Sequence, residues 1–364
     1  MNLTLPKWYD LHTHFRQGEN LSAYVSEHLK MGCAGALAMP NTKPPVSRVS
    51  GENDDTSWSI ESYRQEILDA GGDAFDQLIV PLYLTKDTTP EMIHEGAESG
   101  LLKACKYYPP HGTTNSEHGV PLKDLLGSDV FKAMDDCGVV LCIHGEAHGL
   151  KGPDYFDANR SAEKTFYEES MPRLLEHHSG LKIVCEHITT KAAARFVSEG
   201  GPSLGATVTP QHLLFTVSTM LQGFNPQLYC LPLIKFEEDR EALRAAVTQH
   251  GQQRVFAGTD SAPHTLKATD CGCAAGCFTG GCAPQLYAMG FEAAGSDLVN
   301  SQPDIDAFRN FLCLNGPAFY GFPPSEETFD LVRTPSQSEL LEAGEGPITP
   351  LPFGLKLTMD WSLK

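Results

Sequence analysis

Eight short runs rich in apolar and β-branched residues recur along this chain, at residues 8–12, 35–39, 78–84, 102–107, 139–144, 182–187, 205–209 and 254–260. Between them lie longer segments with helical spacing, among them 21–31, 60–70, 91–98, 128–137, 162–178, 191–199 and 238–250. Thr189 and Thr190 are placed to cap the helix that follows Ile188. Parallel strands need a crossover before they can pair, and a helix supplies it. Eight such units predict the α/β class and a (β/α)₈ barrel. The other architecture is an open doubly wound sheet, but no Gly-x-Gly-x-x-Gly follows the first run. A chain of 364 residues fits one barrel domain, 1–364, with 321–364 as a C-terminal extension packed on it. Within that tail 329–333 and 354–361 are strand-like, and 305–314 before it is helical.

Charge narrows the partners. Lysine and arginine total 27 against 46 aspartate and glutamate, a net charge of −19. Such a field repels phosphate backbones and anionic membranes, so neither nucleic acid nor a membrane is expected as a partner. An anionic substrate would have to be caught by a few local cations, of which Arg16 is one. No apolar run approaches the roughly 20 residues that span a bilayer. Residues 1–7 carry neither the basic nor the apolar region of a secretion signal, which predicts a cytoplasmic protein. There the eleven cysteines are expected as reduced thiols. Cys271, Cys273, Cys277 and Cys282 form a group that admits a structural zinc, although it lacks Cys-x-x-Cys knuckles.

Barrel enzymes assemble their sites at the carboxyl ends of the strands. The first run ends in His12-Thr13-His14-Phe15-Arg16. Residues i and i+2 of a strand share a face, so two imidazoles can meet one ion, and Arg16 joins them if the extended geometry continues. By itself the pattern also fits a strand end that merely carries two histidines. Lys106 ends the fourth run, His144-Gly145-Glu146 the fifth, Glu186-His187 the sixth, and Asp260 the eighth. Singly each has a bland role: core histidine, helix cap, loop charge. Gathered at one rim they form a ligand set. Residues 44–56 form a polar insertion, and 109–119, rich in Pro, Gly, Thr and Asn, is a candidate lid.

The blocks His12 to Arg16, Ala38-Met39-Pro40-Asn41, Lys106-Tyr107-Tyr108-Pro109, Thr113-Thr114-Asn115-Ser116 and Ile143-His144-Gly145-Glu146 follow one another in a fixed order. They continue through Glu186-His187-Ile188-Thr189-Thr190, Thr209-Pro210-Gln211-His212-Leu213, Tyr229-Cys230-Leu231-Pro232 and Gly258 to His264. In order and spacing this series resembles the dihydroorotase family of the amidohydrolase superfamily, over most of the chain. The departures are at Cys105, Tyr107, His111-Gly112 and 47–56, and they bear on lid and packing.

The resemblance implies two zinc ions: one held by His12, His14 and Asp260, the other by His144 and His187, with Lys106 bridging both. An ammonium cannot ligate a cation, so Lys106 would serve as its N6-carboxylated form. Four neutral imidazoles and one aspartate leave two dications under-neutralised, and a bridging anion corrects that. The implied reaction is reversible cyclisation of N-carbamoyl-L-aspartate to L-dihydroorotate in de novo pyrimidine biosynthesis. In the hydrolytic direction an activated water attacks the ring carbonyl and Asp260 carries its proton to the ring nitrogen. By the same resemblance Arg16, Asn41 and His264 hold the carboxylate common to substrate and product, and His144 also faces the substrate. The Leu231 backbone meets the ring edge, with that of Ala275, which is favoured over Ala274 in a segment one residue longer than the family pattern. Thr113 and Thr114 belong to the lid, and the implied assembly is a homodimer. A hydantoinase or allantoinase would share barrel and metals, but Arg16, Asn41 and His264 argue for an acidic substrate. A non-catalytic scaffold should have lost ligands, and none is missing.

Overall fold

The computed structural model describes residues 2–150, 154, 157–270 and 272–364. Its parallel strands are β1 (Trp8–Thr13), β2 (Cys33–Ala38), β3 in two pieces (Gln77–Ile79 and Leu82–Tyr83), β4 (Ala104–Tyr107), β5 (Val140–His144), β6 (Ile183–Glu186), β7 (Leu204–Val208) and β8 (Val255–Ala257). They pair in chain order, and helices such as Leu21–Lys30, Ile60–Asp69, Asp129–Cys137, Lys191–Glu199 and Glu237–Thr248 fill the crossovers. The fold is a (β/α)₈ TIM barrel.

The third run was expected as one strand over 78–84 but divides at Val80-Pro81. Pro81 has no N–H to give the ladder, so pairing stops there. The first piece lies against β2, with Gly35 opposite Gln77, and the second against β4, with Tyr83 opposite Lys106.

Strand alternation places the site. In β4, β5 and β6 one face carries Ala104, Val140, Cys142 and Val184 low in the barrel, packed with Phe256 and with Phe319, Tyr320 and Phe322. The other face sends Cys105, Leu141, Ile143 and Cys185 into the larger core beneath the helices. Continuing the first face to the carboxyl ends brings up Lys106, His144 and Glu186. Register sets His144 level with Glu186, and Lys106 one inward-facing step below them, opposite Cys142.

Closure between β8 and β1 uses a few backbone bonds and a few polar side chains. Asp260 N donates to His12 O at 2.8 Å and His14 N to Ser261 O at 2.9 Å. Beneath them the buried Asp10 carboxylate accepts from Thr259 N at 2.9 Å and Thr259 Oγ1 at 2.6 Å. The seam is thus made by the residues that precede and include the candidate ligands.

Outside the barrel, Thr328–Val332 pairs antiparallel with both Asn2–Pro6 and Ser362–Leu363. The strand expected over 354–361 is absent. Pro352 instead opens a short helix, Leu351–Leu355, at a position where a missing N–H costs nothing, and Lys356 ends it at φ +54°. The helix expected over 162–178 is interrupted by a π-turn, Phe166–Ser170, because Pro172 cannot donate to the carbonyl four residues back. The helix expected over 305–314 starts at Gln302, and another π-turn, Asn310–Leu314, carries it into Asn315–Tyr320. Thr190 caps Lys191–Glu199 through Ala193 N. From the 44–56 insertion Val46–Arg48 forms a small parallel pair with Trp58–Ser59, just beyond it.

Candidate active site

Four imidazoles stand in a row across the carboxyl end of the barrel. Ring centroids are 5.5 Å apart for His14 and His12, 4.8 Å for His12 and His187, and 4.7 Å for His187 and His144. Asp260 Oδ1 lies 3.0 Å from His14 Nε2 and 3.5 Å from His12 Nε2. Donor atoms of His12, His14 and Asp260 all lie within 4.8 Å of one another, a geometry that can hold a metal ion.

Backbone strain puts several of these residues in place. His187 follows Glu186 and by simple alternation would face away; at φ +38° it turns back into the row. Asp260 adopts φ +48° and Arg16 φ +60°. Such values are rare outside glycine and collect where function requires them. The extended path expected through Arg16 therefore fails, since β1 ends at Thr13. Arg16 reaches the site by the turn, with its carbonyl held by Tyr63 Oη at 3.0 Å.

Buried carboxylates orient the histidines. His12 Nδ1 donates to Glu186 Oε2 at 2.6 Å, leaving Nε2 free toward Asp260, and Thr207 Oγ1 donates to the same oxygen at 2.6 Å. His144 Nε2 donates to Glu146 Oε2 at 2.8 Å, leaving Nδ1 free. Carboxylate partners of this kind fix ligand tautomers in metal sites. Glu163 ties down the loop after β6 through Thr189 N at 2.7 Å and Thr190 N at 2.9 Å. The sequence showed Glu146 and Glu186 only as neighbours of histidines and gave Asp10, Glu163 and Thr207 no role. The one signal was a carboxylate close in sequence to His144 and to His187.

Electrostatics prepare the donors. Burial holds His12, His14 and His187 below the ordinary histidine range, so they are neutral bases. Burial would raise Asp260, but its hydrogen bond with His14 outweighs that and keeps the carboxyl below its usual range. Burial pushes Lys106 down, against the pull of Glu186, which favours the neutral amine. Lys106 Nζ and His187 Nδ1 are buried and, among the described residues, have no hydrogen-bond partner. Leaving a buried polar atom unpaired costs about 1–3 kcal/mol, so both atoms are explained best by something they bind. The donor set fits divalent metal.

In front of His14 and Asp260 lies a small cavity, lined also by Arg16, Asn41, Leu231 and Ala275, and covered by Thr113 and Thr114. The loop is tied over it: Asn41 Nδ2 donates to Thr114 O at 2.9 Å and Asn115 Nδ2 to Asn41 O at 3.0 Å. His264 stands at its edge, with Nε2 2.8 Å from Ala275 O. Of the two alanines, Ala275 faces the cavity, whereas Ala274 hydrogen-bonds Lys267 through both its N–H and its carbonyl. Cys273, Cys277 and Cys282 turn to separate carbonyls, of Pro226, Gln227 and Thr279, and among the described residues form no metal-binding group. Cys271 lies outside the described residues.

No family model matches the chain. It is 41% identical to a dihydroorotase of Halorhodospira halophila, over 99% of this chain and 98% of that one. It is 40% identical to a dihydroorotase of a Picosynechococcus species, at the same coverage. Among solved structures, dihydroorotase from Saccharomyces cerevisiae in complex with 5-fluoroorotic acid superposes with a TM-score of 0.83 at 26% identity, over 100% of this chain and 98% of that one. Dihydroorotase from Campylobacter jejuni gives 0.82 at 28%, over 100% and 97%. A D-hydantoinase from a Thermus species shares the fold, with a TM-score of 0.71 at 14% identity over 100% of this chain and 82% of that one. The sequence likeness runs nearly end to end on both chains, and it accompanies a barrel rim carrying the expected histidines and aspartate. By these findings the chain belongs to the dihydroorotase family.

Proposed function

We propose that this chain is a zinc-dependent dihydroorotase, interconverting N-carbamoyl-L-aspartate and L-dihydroorotate in pyrimidine biosynthesis. The observation that carries the reading is the cavity in which Arg16 and Asn41 face His14 and Asp260 beneath the threonine loop. It joins a cationic anchor, suited to a carboxylate, to a metal-binding edge. His12, His14 and Asp260 would hold one zinc, His144 and His187 the other, and Lys106, as its carbamate, would bridge them. When bound, the metal pair supplies Lewis acidity toward the amide carbonyl and lowers the pKa of water toward neutrality.

The chain's own residues do the rest. Arg16, Asn41 and His264 hold the carboxylate that both reactants keep, which fixes the ring or the open chain against Asp260. Hydrogen-bonding groups of the Leu231 and Ala275 backbones meet the polar edge, and His144 borders the substrate as well as holding metal. In ring opening Asp260 takes the proton of the attacking water and delivers it to the departing ring nitrogen. In ring closure it removes a proton from the ureido nitrogen. Thr113 and Thr114 keep bulk water out while this happens. Closure turns a dicarboxylate into a monocarboxylate and consumes one proton, so acid favours dihydroorotate.

The chain is read as a single barrel domain with 321–364 as its extension, working as a homodimer in the cytoplasm. No helix among the described residues is long and apolar enough to cross a membrane. Purified protein should open dihydroorotate, lose that activity to a chelator and regain it with zinc, while Lys106→Ala should stay inactive with zinc present. Full activity in Lys106→Ala would exclude the bridging carbamate.

A further inference from the structure

Three backbone carbonyls from two separate loops converge on one ammonium, that of Lys267. Its Nζ donates to Tyr229 O at 2.7 Å, to Ala274 O at 2.6 Å and to Gly276 O. An ammonium has three N–H bonds, so its capacity is filled. With only 9% of its surface exposed, the charge is tolerated because carbonyl dipoles replace the water it has lost.

The three carbonyls are informative by position. Tyr229 lies two residues before Leu231, and Ala274 and Gly276 flank Ala275. Leu231 and Ala275 both line the cavity. The two loops also meet through Gly276 N, which donates to Tyr229 O at 2.9 Å. There is little slack at this junction. Gly276 sits at φ +147°, and a Cβ there would fall 2.6 Å from Ala262 O and 3.0 Å from His264 Nε2.

We propose that Lys267 is a positioning residue for substrate: its ammonium sets the spacing between the Leu231 and Ala275 backbones, and with it the affinity for the ring edge. The inference rests on the reading above that these two backbones meet the substrate. Without the ammonium, three carbonyl oxygens that now point at one centre repel one another, and the loops part. His12, His14, Asp260, Lys106, His144 and His187 make no hydrogen bond to Lys267, so the chemistry itself is left in place.

The test is Lys267→Met in the zinc-loaded, full-length enzyme, assayed in both directions. KM for dihydroorotate should rise about tenfold or more while kcat stays within about threefold, the pattern of lost binding common to ground and transition states. Zinc content should equal that of the wild type. In Lys267→Ala, added propylammonium should bring KM down again, whereas tetramethylammonium, with no N–H to donate, should not. An unchanged KM, or a fall in kcat at constant KM, overturns the proposal. If the methionine variant does not fold, Lys267→Arg carries the test: a planar fork cannot meet three carbonyls converging on one point, so KM should still rise, and a wild-type KM overturns the proposal. Wild-type protein inactive on dihydroorotate would instead remove the functional reading on which this rests.

Discussion

Arg16 Nη2 and His264 Nε2 face each other at 3.5 Å, and neither can donate to the other. Nε2 already gives its hydrogen to Ala275 O, and a guanidinium has no lone pair to accept one. Two donor groups are therefore held side by side at the edge of the cavity. An anion between them would relieve the contact, which is what a substrate carboxylate offers.

That contact shows itself in acid. Burial, reinforced by Arg16, pushes His264 down to about 4. In an unfolded chain the ring titrates near 6.5. Between these values the unfolded chain binds a proton that the folded chain refuses, so stability falls as pH drops from about 6.5 to about 4 and levels off below. A shift of this size is worth about 3 kcal/mol at most. Urea unfolding at about pH 7 and pH 4.5 should show the wild type losing roughly 2 kcal/mol more than His264→Asn. Equal losses would contradict the assignment.

Glu186→Gln tests the orientation of His12. The amide keeps the shape but can present its NH₂ to Nδ1, which removes the tautomer that frees Nε2. Metal affinity should fall about 10–100-fold in competition with a chelator, with much of kcat restored at saturating zinc. Unchanged affinity would leave Glu186 a core hydrogen-bonding group only.

Asp260→Asn separates proton transfer from binding. Losing a positioned acid–base group should lower kcat by about 10²–10⁴ in both directions, while the fold holds because Asp260 N still bonds His12 O. Turnover within threefold of wild type in either direction would place the proton carrier elsewhere.

Thr113→Ala with Thr114→Ala tests the loop. Its own brace is Ser116, whose Oγ donates to Thr113 O at 2.7 Å and accepts from Thr113 N at 2.9 Å, and both bonds survive the change. Stability should move by less than about 0.5 kcal/mol, while kcat/KM drops about tenfold or more. Unaltered kcat/KM would reduce the loop to a connector.

The sequence disclosed the barrel because each strand announces itself locally, by apolar β-branched residues over a few positions. It offered His12, His14, His144, His187, Lys106 and Asp260 as candidates because strand ends are where a barrel keeps its chemistry. The carboxylates that orient them were hidden: Glu186 serves His12 across 174 positions, and Asp10 serves Thr259 across 249. No local pattern encodes such pairs. Lys267 was hidden likewise, because its partners are carbonyls, which every residue has. The break at Pro81 was legible and was missed, since a proline inside a strand-like run is itself the signal. The Leu351–Leu355 helix lost out to β-like residues in 354–361, whereas the two nearby prolines pointed to a helix start.

The seam has a bearing on how metal enters. Synthesis releases the amino end first, so His12 and His14 emerge long before Asp260 exists. The backbone bond from Asp260 to His12 that completes their ion site is also one of the bonds that shut the barrel. At this site a half-made chain therefore lacks its third donor, the Asp260 carboxylate. The three-donor group of His12, His14 and Asp260 is complete only when the last strand docks against the first.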